Sequence, residues 1–173
     1  MRWTATALLF LLLAGCGSPG PVVYDEPARP VRDGEKPIKA RPYRDGLIIF
    51  TPIGVSTGIH TLVGSHADWP AKGQFIRIRM IIDNDYSTFH KIDLTQQLLV
   101  TTDGVEHSID GDGTSIKRQP PETELGAHDR VELDLYYDIP ATAALHELRL
   151  YGAPVTDLGI EIPHDPGVRV PLR

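Results

Sequence analysis

The chain has 173 residues, 41% hydrophobic and 23% charged, with 16 glycines, 15 prolines and one cysteine. That length fits one domain with accessory segments, and a lone cysteine excludes an internal disulfide framework and a cysteine-cluster zinc site. Lys and Arg number 17 against 23 Asp and Glu, a net charge of −6, which excludes a nucleic-acid binder held by phosphate contacts.

The first residues read MRWTATALLFLLLAGC. A cation at Arg2 precedes an apolar stretch around Leu8–Leu13, and small residues follow. The layout is that of a secretory signal, because the apolar stretch falls short of the ~20 residues a membrane-spanning helix needs. Leu13-Ala14-Gly15-Cys16 resembles the lipobox of bacterial lipoproteins, and the only cysteine in the chain sits where that motif requires it. The resemblance implies cleavage of residues 1–15 and a diacylglyceryl thioether on Cys16. Two or more acyl chains anchor stably where one does not. The expected location is therefore the outer face of the bacterial cell membrane or another envelope membrane, with the membrane itself as a partner. A thiol consumed by lipid also excludes redox and cysteine catalysis.

Residues 17–44 hold six prolines (19, 21, 27, 30, 37 and 42) and ten charged residues. Such a composition buries too little apolar surface to offset its ordering entropy. The expected organisation is a signal peptide over 1–15, a lipidated N-terminus and disordered tether over 16–44, and a folded domain over 45–173. As a random coil the tether reaches roughly 30 Å, and extended up to ~90 Å.

From Asp45 onward, short apolar runs with period two are separated by turn residues. Leu47–Thr51 reads as a first strand and Val55–Val63 as a second, broken by Gly58. Gln74–Asp83 places Ile76, Ile78, Met80 and Ile82 on one face and Phe75, Arg77 and Arg79 on the other. Arg130–Tyr137 repeats the pattern, with Val131, Leu133, Leu135 and Tyr137 inward and Arg130, Glu132, Asp134 and Tyr136 outward. Further strands are expected at 97–101, 105–109, 145–151, 158–162 and 168–172. Asp103-Gly104 reads as a two-residue hairpin turn. No window of ten residues carries a helical period, and Ala141–Leu145 offers at most one helical turn. Eight or nine short strands without helices read as an all-β, immunoglobulin-like antiparallel β-sandwich. The outward charges predict that strands 74–83 and 130–137 are antiparallel neighbours, with exposed pairs contributing ~0.2–1 kcal/mol each.

A succession of elements carries a family resemblance. Gly73 precedes a long alternating strand ending at Asn84, the hairpin Thr101–His107 follows, then Leu125-Gly126, then a strand closing on Ile139-Pro140. Together they cover about residues 47–162. The succession resembles the bacterial family of secreted and lipoprotein immunoglobulin-like domains linked to immunoprotective extracellular antigens, whose domain has no assigned function. The resemblance implies an extracytoplasmic sandwich of binding or structural type, without catalytic residues to carry over. It also implies that Asn84, the only asparagine, caps its turn with the side-chain amide.

Two segments match fragments of catalytic or metal motifs. Gly54-Val55-Ser56-Thr57-Gly58 satisfies the nucleophile elbow of hydrolases, which would make Ser56 the nucleophile. That mechanism needs a helix after the serine, and the β-branched 59–63 that follows reads as strand. Asp110-Gly111-Asp112-Gly113-Thr114 matches the start of acidic calcium loops. The helix-flanked form needs further ligands at its fifth and twelfth positions, where Thr114 and Pro121 stand. A less regular calcium site borrowing Asp103 or Glu106 is the alternative; a solvated turn is the simpler reading. Seven histidines (60, 66, 90, 107, 128, 146 and 164) are scattered, and His60 and His66 lie ~20 Å apart along a strand, too far to share a zinc.

Residues 110–128 form the longest stretch without strand pattern. Lys117 and Arg118 there, with Trp69, Tyr86 and Phe89 in other expected loops, are the candidate partner-binding residues. The sequence thus points to a membrane-anchored lipoprotein presenting a non-catalytic domain to a protein or envelope component. It implies no cofactor, no metal and no nucleic acid. The alternatives are a serine hydrolase using Ser56 and a calcium-binding lipoprotein.

Overall fold

Alternation of aliphatic residues over more than thirty positions builds one long hairpin that organises the molecule. A computed structural model describes residues 31–39, 41–152 and 167–172. In it β3 (Ile48–Val63) and β4 (Asp68–Asn84) pair antiparallel along almost their whole lengths. The two strands expected at 47–51 and 55–63 are one, because Pro52 and Gly58 are absorbed at irregularities in the pairing rather than ending it. A proline, which has no N–H to give, is tolerated at such a bulge. Gly58 adopts φ +69°, and its N–H is taken up by the Gln74 side chain at 2.9 Å.

Strand β9 (Arg130–Ile139) lies antiparallel to β4, with Arg79 opposite Asp134 and Ile78 opposite Leu135. The neighbour relation expected from the charges therefore holds. On the far edge of β3 sit the short β1 (Lys36–Pro37) and β2 (Tyr43–Asp45), completing a five-stranded sheet. The facing sheet runs β11 (Val168–Pro171), β10 (Leu145–Leu150), β6 (Leu98–Thr101) and β7 (Glu106–His107). Between the two lies the core: Ile48 and Phe50 from β3, Ile76 to Ile82 at alternate positions of β4, Leu133 to Ile139 at alternate positions of β9, and Leu99, Leu148, Leu150 and Val170 from the other sheet. The expected all-β antiparallel sandwich is what forms.

Several details differ from expectation. The folded unit begins at Val31, not at 45, since residues 31–44 contribute β1, β2 and the buried Glu35; residues 16–30, the rest of the expected tether, lie outside the described residues, as do the signal segment and the strand expected at 158–162. The stretch 110–128 is not a bare loop. It holds the short helix α1 (Gly111–Ile116) and β8 (Glu122–Leu125), which pairs with β5 (His90–Asp93) in a small third sheet. A six-residue helix has no room for a helical period, and the signal for it is the N-cap: the Asp110 carboxylate accepts from the Gly113 N–H at 2.6 Å. Ala141–Leu145 makes a turn leading into β10 and no helix. The β6–β7 hairpin is one residue longer than expected. Thr101 and Val105 close it, and Gly104 supplies the positive φ of 83° that such a loop requires.

Candidate functional surfaces

Three regions collect the side chains of interest, beginning with the outer face of the five-stranded sheet. Arg77 and Arg79 on β4 and Glu132 and Asp134 on β9 point away from the core, as their parity demands, and Arg79 reaches Glu132 across the two strands at 3.6 Å, though not in open water. Residues 31–35 cross this face as a strap before entering β1. Arg32 reaches Asp134 at 2.7 Å and Glu132 at 3.1 Å. Glu35 turns inward, its side chain 1% exposed, and meets Arg79 at 2.9 Å and Arg77 at 3.6 Å. Arg77 in turn donates to the Ser56 hydroxyl at 2.9 Å. The strap thus answers both signs of charge, and Arg79 is left 5% exposed. The expectation of exposed pairs is corrected on this point, because a covering segment removes the water. Room for Glu35 comes from Gly54, where a Cβ would overlap the Glu35 carboxyl carbon.

The second region is the end of the sandwich that carries the β3–β4 turn. Trp69 lies within β4 opposite Leu62, not in a loop. It packs on a small cluster of Leu62, Phe75 and Tyr136, to which Ile116 of α1 also belongs. Phe75 and Tyr136 were expected to face water; α1 and Trp69 cover them, leaving 0% and 2% exposed. Burial pushes the Tyr136 phenol up to about 12. Lys117 and Arg118, just past α1, bind the same turn: the ammonium donates to the Val63 carbonyl at 3.0 Å and the guanidinium to the Ser65 hydroxyl at 2.9 Å. These two cations act as staples between α1 and the hairpin.

Tyr86 and Phe89 sit at the other end of β4, so the five candidate residues do not form one site. Tyr86 stacks on His90 with ring centroids 4.9 Å apart and 4° between planes, which makes it a plug on the core. Phe89 remains 73% exposed. Asn84 organises this end. Its amide nitrogen donates to the carbonyls of Thr88, Leu125 and Gly126 at 2.8, 3.1 and 2.8 Å, and its oxygen accepts from the Tyr86 N–H at 2.9 Å. The turn-capping role is present, and the same amide also secures the end of β8.

The alternative chemistries find little support in these positions. Ser56 lies mid-strand, 4% exposed, with β3 continuing after it to Val63; a nucleophile elbow needs a strained strand-to-helix turn that projects the hydroxyl. Asp110 is spent on capping α1. Asp103 accepts from the Thr101 hydroxyl at 2.6 Å, and that bond leads in holding its carboxyl below the usual range. Glu106 is drawn to Arg149. An open depression of about 490 Å³ is lined by Lys72, Asp110, Asp138 and Pro140 among others, and Asp138 accepts the backbone N–H groups of Lys72 and Gly73 there. Among the described residues no group of three His, Cys, Asp or Glu converges as a metal site, and no helix is long and apolar enough to cross a membrane. Sequence reasoning passes over Arg32 and Glu35 and takes Gly54 only as the first residue of the elbow-like segment; the pairing that brings them together, Pro37 opposite Gly54, leaves no local signal.

The class these observations define is an antiparallel β-sandwich with a strapped outer face. A conserved hypothetical protein from Bacillus anthracis is similar in structure, with a TM-score of 0.52 and 15% identity, covering 68% of this chain and 90% of its own. The secreted protein MPT63 from Mycobacterium tuberculosis aligns at a TM-score of 0.39 and 12% identity, over 64% of this chain and 82% of its own. At 15% identity the first of these likenesses is one of fold. No protein-family model matches the chain, and no curated protein matches it.

Proposed function

We propose that the chain is an extracytoplasmic lipoprotein, anchored through Cys16, whose β-sandwich binds a protein or envelope component and carries out no catalysis. The observation behind this reading is the placement of the sole cysteine at the end of the lipobox-like Leu13–Cys16, ahead of a proline-rich segment and a β-sandwich. The family of secreted immunoprotective antigens, resembled in the order of strands and turns, fits the same reading. Binding is assigned to the sandwich ends, where Phe89 and Val63 stand 73% and 66% exposed, since exposed large apolar side chains can anchor a partner.

The test is photo-crosslinking in intact cells, with the reactive group placed at Phe89 or at Val63 of the full chain. A discrete adduct from one position is expected. Absence of any adduct from both positions contradicts the binding role. Specific labelling of Ser56 by a serine-reactive phosphonate contradicts the non-catalytic one.

A further inference from the structure

The strap over the five-stranded sheet is held chiefly by charged side chains. Of residues 31–37, only Glu35 is buried. Strand pairing contributes just Lys36 opposite Val55 and Pro37 opposite Gly54. The Glu35 carboxylate is nearly fully enclosed, yet its Oε2 has no hydrogen bond, and neither does the buried Nε of Arg77. A buried polar group left short of partners weakens the network it belongs to. With one buried side chain and two residues in strand pairing, this segment belongs at the low end of local stability, where local opening precedes global unfolding.

Opening leaves a bipolar groove: Arg77 and Arg79 at one side, Glu132 and Asp134 at the other, the β3 edge at residues 53–55 unpaired, and the space above Gly54 empty. The complement of that groove is a tight turn with a cation three residues ahead of a carboxylate: in the strap the Glu35 N–H returns to the Arg32 carbonyl at 3.0 Å and Gly34 takes φ +69°. Residues 32–35 of any other copy of this chain have that spacing by definition, and they retain every contact of the latch. We propose that this groove is an interaction site for a second copy, filled in exchange by that copy's residues 31–37. Exchange of an identical element between protomers is a low-cost route to a dimer. The inference does not depend on lipid anchoring.

Two full-length variants isolate the exchange. Gly54→Ala fills the groove and leaves the strap intact; Glu35→Ala leaves the groove open and removes the carboxylate from its own strap. Each alone is expected to be monomeric by native mass spectrometry, and the mixture to give a one-to-one heterodimer in which the first donates its strap to the second. Two folded monomers that never associate on mixing overturn the proposal. Should either variant lose its β circular dichroism, a labelled peptide spanning Val31–Lys39 is titrated onto the full-length Glu35→Gln chain, which keeps the volume of the side chain. Saturable binding, lost when the peptide carries Ala at position 35, supports the exchange, and no binding overturns it.

Discussion

Asn84 shows how one side chain closes an end of the sandwich. Asn84 is 1% exposed, and its amide shares two N–H groups among three backbone carbonyls while its oxygen accepts one backbone N–H. Asn84→Ala removes these and strands the carbonyls of Leu125 and Gly126 near the core. A cost of about 3–4 kcal/mol is expected, at roughly 1 kcal/mol per bond, read as a fall in the midpoint of urea unfolding with unchanged slope. Asn84→Asp is expected to cost more at neutral pH than at acid pH, since a carboxylate facing three carbonyls repels them until it is protonated. A variant as stable as the parent would show that the turn holds without its cap. The position was legible in sequence as a turn residue after a long strand. Its reach to β8 was not, because nothing local in 122–125 announces a strand: Glu122, Thr123 and Glu124 carry no apolar alternation.

At the scale of elements, β9 and the strap show where pattern reading succeeds and where it stops. Period-two alternation located β4 and β9 and their mutual pairing, because an inward aliphatic face leaves a direct mark on sequence. The outward face left a misleading one. Parity assigns Phe75, Tyr136 and Arg79 to water, and only long-range covering by α1, Trp69 and the strap removes it. The strap itself hid in a segment whose average composition reads as solvated; one buried glutamate among charged neighbours does not change an average. Burial on both faces of β9 has a consequence at high pH. Burial raises the Tyr136 phenol from its ordinary value of 10 to about 12, and that of Tyr137, fully enclosed in the core, is raised as well. A phenol with a higher pKa folded than unfolded stabilises the fold at pH values below 10. That contribution is lost as pH rises from there toward 12. Stability is expected to hold to about pH 10 and then fall, with two tyrosines ionising only as the sandwich opens, followed by ultraviolet titration alongside circular dichroism. All tyrosines titrating together near 10 in a folded protein would contradict the burial of this strand.

At the scale of the whole molecule, two sheets packed through Ile, Leu, Phe and Tyr hold together with no disulfide, which a unit of this size can do by burial alone. The sandwich was readable from the spacing of strands and turns. Its partner was not, since exposed residues such as Phe89 mark surface without naming what meets it. The proposed compartment and anchoring both depend on acylation of Cys16. The direct measurement is the intact mass of the chain recovered from the membrane fraction of a bacterial host. The account predicts a polypeptide lacking residues 1–15 and carrying acyl groups at Cys16, which a Cys16→Ala variant does not acquire. An unacylated chain still beginning at Met1, or the same mass from both variants, would contradict it.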